Sequence, residues 1–172
     1  PTGEVNAGDA GIRAGGNLTI ATTMALRDNP AAVPVLVQHP IYPVVTDSDD
    51  WQSMRDFAEG FLLTADSMAY FHAAYQADAN DYRGAPIRFS QEGMPPSLVT
   101  TASLDPLRDQ GLAYVEALKA AGVPVQHRSA DGNVHGHITL RKAIPSSKED
   151  VAGNLAALKA MLAEAMGIAD HY

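Results

Sequence analysis

Two short segments near the C-terminal end of the sequence carry side chains able to move protons. Asp105 stands within Ser103-Leu104-Asp105-Pro106-Leu107-Arg108-Asp109-Gln110-Gly111, and two histidines stand within Asn133-Val134-His135-Gly136-His137. Each segment follows an apolar, β-like run. An acid and a histidine in that setting are two members of a Ser-Asp-His triad. There the carboxylate orients the imidazole, and the imidazole takes the proton of an attacking hydroxyl. The third member belongs on a tight strand-to-helix turn earlier in the chain. Gly8-Asp9-Ala10-Gly11-Ile12-Arg13-Ala14-Gly15-Gly16-Asn17-Leu18 provides such a turn, but it contains no serine.

Spacing alone leaves alternatives open. An aspartate before a proline is also a common helix cap. Asp109 is a rival acid, and His137 is a rival base. His135 and His137 with nearby Asp131 suggest a metal site, but no further ligand stands at a recognisable spacing. Gly15-Gly16-Asn17 before a helix suggests a phosphate cradle. The spacing of Gly8, Gly11, Gly15 and Gly16 nevertheless fits neither the dinucleotide fingerprint nor the P-loop.

Taken in order, the three motifs resemble those of the hormone-sensitive-lipase-like carboxylesterases, a group of α/β-hydrolases. That group carries Gly-Asp-Ser-Ala-Gly-Gly-Asn at its nucleophile turn, Asp-Pro-Leu-Arg-Asp around its acid and His-Gly-Phe around its base. Asp105 to Asp109 match the second motif letter for letter. His135-Gly136 match the third, with His137 where phenylalanine is usual. Gly8-Asp9 and Ala14-Gly15-Gly16-Asn17 match the two ends of the first, and Ala10, Gly11, Ile12 and Arg13 stand where the group has one serine. Weaker echoes are Ile41-Tyr42-Pro43, Pro95-Pro96 and Asp66 to Phe71.

The resemblance implies an α/β class and an α/β-hydrolase fold, represented by the C-terminal part of a mostly parallel sheet with flanking helices and a cap insertion at 46–85. It implies hydrolysis of short- to medium-chain acyl esters. Asp105 is then the acid, His135 the base, and the Ala14 backbone N–H an oxyanion donor. The nucleophile is expected between Asp9 and Ala14. His137 and Phe71 are expected to line the substrate pocket. No cofactor and no metal are implied. The expected partners are a small-molecule ester, a missing N-terminal half of the same fold, and a possible second copy in a homodimer. The rival from another class is a non-catalytic protein of the same fold that holds a small apolar ligand.

Bulk properties narrow the classes. One domain is the prior for 172 residues. With 46% apolar residues and no membrane-length apolar run, no membrane span is expected. A net charge of −8 argues against a nucleic-acid partner. The absence of cysteine removes disulfides and thiolate chemistry. No leader is visible, and the compartment is left open with the cytoplasm favoured.

The elements that must position these residues follow from periodicity. Helices are expected at 18–27, 51–63, 66–75, 107–121 and 151–166, with Asp66 as an N-cap. Strands are expected at 33–37, 97–102 and 123–128. This alternation implies βα units and a parallel sheet with an unpaired edge, and a further strand before Gly8 is weakly written. Asp105 and His135 each lie just past a strand, so both loops are expected on one edge of that sheet.

Overall fold

The computed structural model describes residues 14–76 and 78–167. The stretch between Asp9 and Ala14 and any strand before Gly8 lie outside the described residues.

The sheet forms where the chain alternates β-branched and apolar residues. β1 (Ser97–Leu104) pairs in parallel with β2 (Val125–Val134), from Ser97 opposite Val125 to Ala102 opposite Ala130. The register then slips, and Leu104 comes to face Val134. β2 is therefore longer than the expected 123–128 and carries the chain to the residue before His135. On the other side of β1, residues 38–42 run parallel to it. Gln38 and Tyr42 donate their N–H groups to Pro96 and Thr100, and Gln38 and Pro40 accept from Leu98 and Thr100. The strand expected at 33–37 is thus displaced to 38–42 and reduced to two bridges, Gln38 to Ser97 and Ile41 to Thr100. Pro40 is the reason, since it has no N–H to add to the ladder.

Five helices complete the described fold: α1 (Ala14–Asp28), α2 (Gln52–Asp56), α3 (Ala65–Tyr75), α4 (Arg108–Ala120) and α5 (Ser146–Ala165). The expected helix over 51–63 survives only as α2. Beyond it, Phe57 and Phe61 pack edge to face with ring centroids 5.0 Å apart, and Leu62 takes a left-handed backbone. Thr64, not Asp66, caps α3, its hydroxyl accepting the Ser67 N–H at 3.1 Å. Asp66 sits in the first turn, where a carboxylate suits the helix dipole.

β1 is buried on both faces. Val99 joins Ile20 and Met24 of α1 and Tyr114, Val115 and Leu118 of α4 in the larger core. Thr100, on the opposite face, donates to Asn154 of α5 at 3.2 Å. α1 approaches the 38–42 segment so closely that a Cβ on Gly16 would lie 2.7 Å from Pro43 Cα. Only glycine fits there, and this contact fixes the start of α1 relative to the sheet. Among the described residues, no helix is long and apolar enough to cross a membrane.

Candidate active site

Asp105 and His135 sit at the carboxyl ends of β1 and β2, the edge where parallel α/β sheets form ligand crevices. Both are 1% exposed. His135 Nδ1 lies 2.8 Å from Asp105 Oδ2. A carboxylate there accepts the Nδ1 proton, which leaves the Nε2 lone pair as the basic atom. His135 Nε2 is buried and has no hydrogen-bond partner among the described residues.

The two readings of Asp105, as cap and as acid, prove compatible because they use different oxygens. Oδ1 accepts the Leu107 N–H at 2.8 Å in the turn leading into α4, while Oδ2 faces His135. Asp109 is differently employed. Its carboxylate accepts from Ser53 N at 2.8 Å and from Arg108 Nε at 2.9 Å, tying α2 to α4. Burial pushes its pKa up, but the Ser53 N–H and the Arg108 guanidinium outweigh this and hold it below the usual carboxylate range. It does not touch His135.

Gly136 has a φ of 75°, a left-handed step that glycine takes freely. It turns the chain from His135 into a single 3₁₀ turn at His137–Thr139. The two histidines therefore point to different neighbours. His137 is fully buried, with Nδ1 2.5 Å from the Tyr42 hydroxyl. Ala14 is the first residue of α1, at the positive end of that helix.

A cavity of about 510 Å³ lies next to the turn that follows Asp105, within the usual range for small-molecule sites. Leu107, on the same turn as Asp105, forms part of its wall, and Asn17 of α1 forms another part. Val44, Leu63, Met68 and Phe71 make the wall mostly apolar. Of the two expected pocket residues, Phe71 lines this cavity and His137 does not. Asn17 is held in the wall by donating to Val44 O at 3.0 Å. Among the described residues, no three His, Asp or Glu side chains gather as a metal-binding group.

Sequence reasoning missed Gln110, which is fully buried and accepts the Val45 N–H at 3.0 Å, anchoring the segment that enters the cavity wall. Its signal was present as a glutamine on the apolar stripe of α4, between Leu107 and Tyr114.

Comparison with known proteins agrees with this geometry. Residues 8–139 match the family of the alpha/beta hydrolase fold. The carboxylic ester hydrolase LipN of Mycobacterium tuberculosis is 35% identical over 161 residues, covering 88% of this chain and 43% of the relative. A thermostable esterase from Pseudomonas putida superposes with a TM-score of 0.79 at 30% identity, covering 88% of this chain and 50% of that one. A hyperthermophilic esterase from the archaeon Pyrobaculum calidifontis gives 0.79 at 34%, covering 87% and 50%.

These matches overturn the expectation that the chain is a C-terminal half awaiting a missing N-terminal half. The similarity runs along 88% of the chain, so the family match applies to the chain as a whole and not to one part of it. Neither a missing half nor a second copy in a homodimer is retained as a partner. The chain spans about half the length of the curated relatives it matches. With the family match over residues 8–139 and the parallel sheet that carries Asp105 and His135 at its carboxyl edge, the chain belongs to the α/β-hydrolase family.

Proposed function

We propose that this chain is a carboxylic-ester hydrolase site for short- to medium-chain acyl esters, with His135 as the base and Asp105 as its orienting acid. The observation that carries the proposal is the buried 2.8 Å pair with His135 Nε2 unpartnered among the described residues. In this mechanism Nε2 takes the proton of the attacking hydroxyl, and Asp105 steadies the imidazolium. His135 then returns the proton to the departing alcohol, and water activated by the same Nε2 cleaves the acyl-serine to release the acid and restore the hydroxyl. The Ala14 N–H at the head of α1 donates to the oxyanion. The apolar part of the ester fills the cavity against Phe71, and the segment 46–85 covers it as a cap.

The attacking hydroxyl belongs to a serine just before Ala14 in this scheme, and Arg13 occupies that position. A guanidinium does not attack an ester at neutral pH. The unchanged chain is therefore expected to show only the residual catalysis that remains without a nucleophile, and Arg13→Ser to restore turnover of activated short-chain esters. Removal of a triad nucleophile costs about a million-fold in kcat. Turnover by the unchanged chain at ordinary enzyme rates, with no hydroxyl labelled by a phosphonate, would defeat the serine mechanism.

The missing serine favours a second reading, in which the cavity binds a small apolar ligand without chemistry. Saturable binding of an apolar fluorescent probe, combined with no turnover by either form, would favour that reading.

A further inference from the structure

We infer that Tyr42, through its buried hydrogen bond to His137, is a positioning residue that holds the His135 ring in its working plane. The inference rests on the ester-hydrolase reading of the Asp105–His135 pair.

One hydrogen bond to Asp105 anchors Nδ1 but does not by itself fix the plane of the imidazole. The ring can tilt about that contact and carry Nε2 away from its target. The ring that opposes this tilt belongs to Tyr42, whose centroid lies 4.9 Å from that of His135 at an interplanar angle of 48°. Tyr42 is 1% exposed and has a φ of 47°. Tyrosine seldom adopts that left-handed backbone, and such conformations persist where the surroundings over-determine them, often at functional sites.

The surroundings of Tyr42 do so from three directions. Its N–H donates to Thr100 O of β1 at 2.9 Å. The following residue, Pro43, is pressed by α1 at Gly16. Its hydroxyl meets His137 Nδ1 at 2.5 Å, and the two rings pack edge to face with centroids 5.3 Å apart. His137 is in turn fixed by α5, because Ser147 Oγ donates to its carbonyl. Connected contacts thus run from α5 through His137 and Tyr42 to the face of His135.

Both members of the Tyr42–His137 bond are held in their neutral forms by burial. Burial raises the Tyr42 pKa far above its ordinary value, so the phenol keeps its proton. Burial lowers the His137 pKa, which favours the neutral ring. The phenol hydroxyl lies 2.5 Å from His137 Nδ1, which also faces Val134 O at 3.3 Å. A phenylalanine at position 137 would fill the same space without this bond, and the aromatic ring at 42 would then lack its anchor. The pair therefore couples the orientation of the base to the body of the fold and contacts no reacting atom.

The test compares the unchanged chain with Tyr42→Phe and with Tyr42→Phe/His137→Phe, using proton NMR of the His135 Nδ1–H and its exchange with solvent. The double variant removes the phenol and the imidazole together, so neither side chain is left buried without the other. Exchange is expected to accelerate about tenfold or more in both variants while the thermal melt of the double variant stays cooperative. In an Arg13→Ser background that turns over esters, the same changes are expected to lower kcat by about tenfold to a hundredfold, the scale for small misplacement of a reacting group, and to leave KM within about twofold. Unchanged exchange of the His135 proton in the folded double variant would overturn the inference. An inactive Arg13→Ser protein would count against the ester-hydrolase reading, while the NMR comparison would still decide the role of Tyr42.

Discussion

The edge around His135 and the wall of the neighbouring cavity bury their side chains by different rules. At the edge, Asp105, His135, His137 and Tyr42 are polar or aromatic, almost fully buried, and joined by directional bonds of 2.5–2.8 Å. In the cavity wall, Leu63, Met68 and Leu107 make one apolar cluster, and Phe71 remains 37% exposed. Directional bonds place an atom, whereas apolar contacts fill a volume and tolerate exchange of shape. The edge is thus suited to fixing the geometry of proton transfer, and the wall to accepting a range of apolar groups. The first should govern kcat and the second KM.

The largest expected effect is on the edge. In an Arg13→Ser background that hydrolyses esters, His135→Ala should lower kcat by about a million-fold, the scale for loss of a triad member. Asp105→Asn should lower it by about ten-thousand-fold, because an amide permits the wrong imidazole tautomer. Steady-state kinetics with an activated ester measure both. A KM effect with kcat intact in either variant would break the proposed division between the two regions.

A smaller effect is expected in the wall. Phe71→Ala should raise KM for longer acyl esters by about tenfold with kcat within about twofold, since it removes apolar contact area without moving the base. Comparing short and longer esters separates this from a general loss of folding. Equal loss of kcat for both chain lengths would place Phe71 with the edge instead.

The smallest effect concerns pH. His39, whose Nε2 lies 3.0 Å from Thr100 Oγ1 on β1, has its pKa lowered by burial from 6.5 to about 4. A histidine with a depressed folded pKa contributes its stability in full above the ordinary value. That contribution is lost as pH falls from about 6.5 toward about 4, because the unfolded chain binds the proton first. The loss should be about 2 kcal/mol, discounted for the partial exposure of the ring. Denaturation at pH 7 and pH 4.5 measures it, and His39→Gln should reduce the difference. His127 and His137 are shifted the same way by burial and also lie on the sheet side of the molecule. Acid sensitivity is therefore expected from that side before the cavity wall.

Much of the edge was legible because local sequence dictates it. The run to Asp105 and the turn at Pro106 announce a strand end and a helix start, and Gly136 announces the bend that separates His135 from His137. Two loops at carboxyl ends of parallel strands then had to meet. The Tyr42–His137 bond was not legible, because it joins residues 95 positions apart through side-chain packing that no local period encodes. The strand at 38–42 was misplaced because Pro34 and Pro40 interrupt the apolar run, and hydrogen-bond capacity counted for more there than hydrophobicity. The helix over 51–63 was overextended because Phe57 and Phe61 stand four residues apart, as on a helix, yet they pack against each other around a turn instead. The cavity depends on how α1, α3 and the turn before α4 assemble and has no linear signature.

The central claim is that the Asp105–His135 pair acts as the base toward a hydroxyl placed just before Ala14. Its most direct test is phosphonate labelling of the Arg13→Ser protein, followed by mass spectrometry, with and without His135→Ala. Stoichiometric labelling of the introduced side chain is expected at neutral pH, with near-complete loss when His135 is removed. Labelling at an equal rate in both proteins, or no labelling of a folded Arg13→Ser protein, would contradict it.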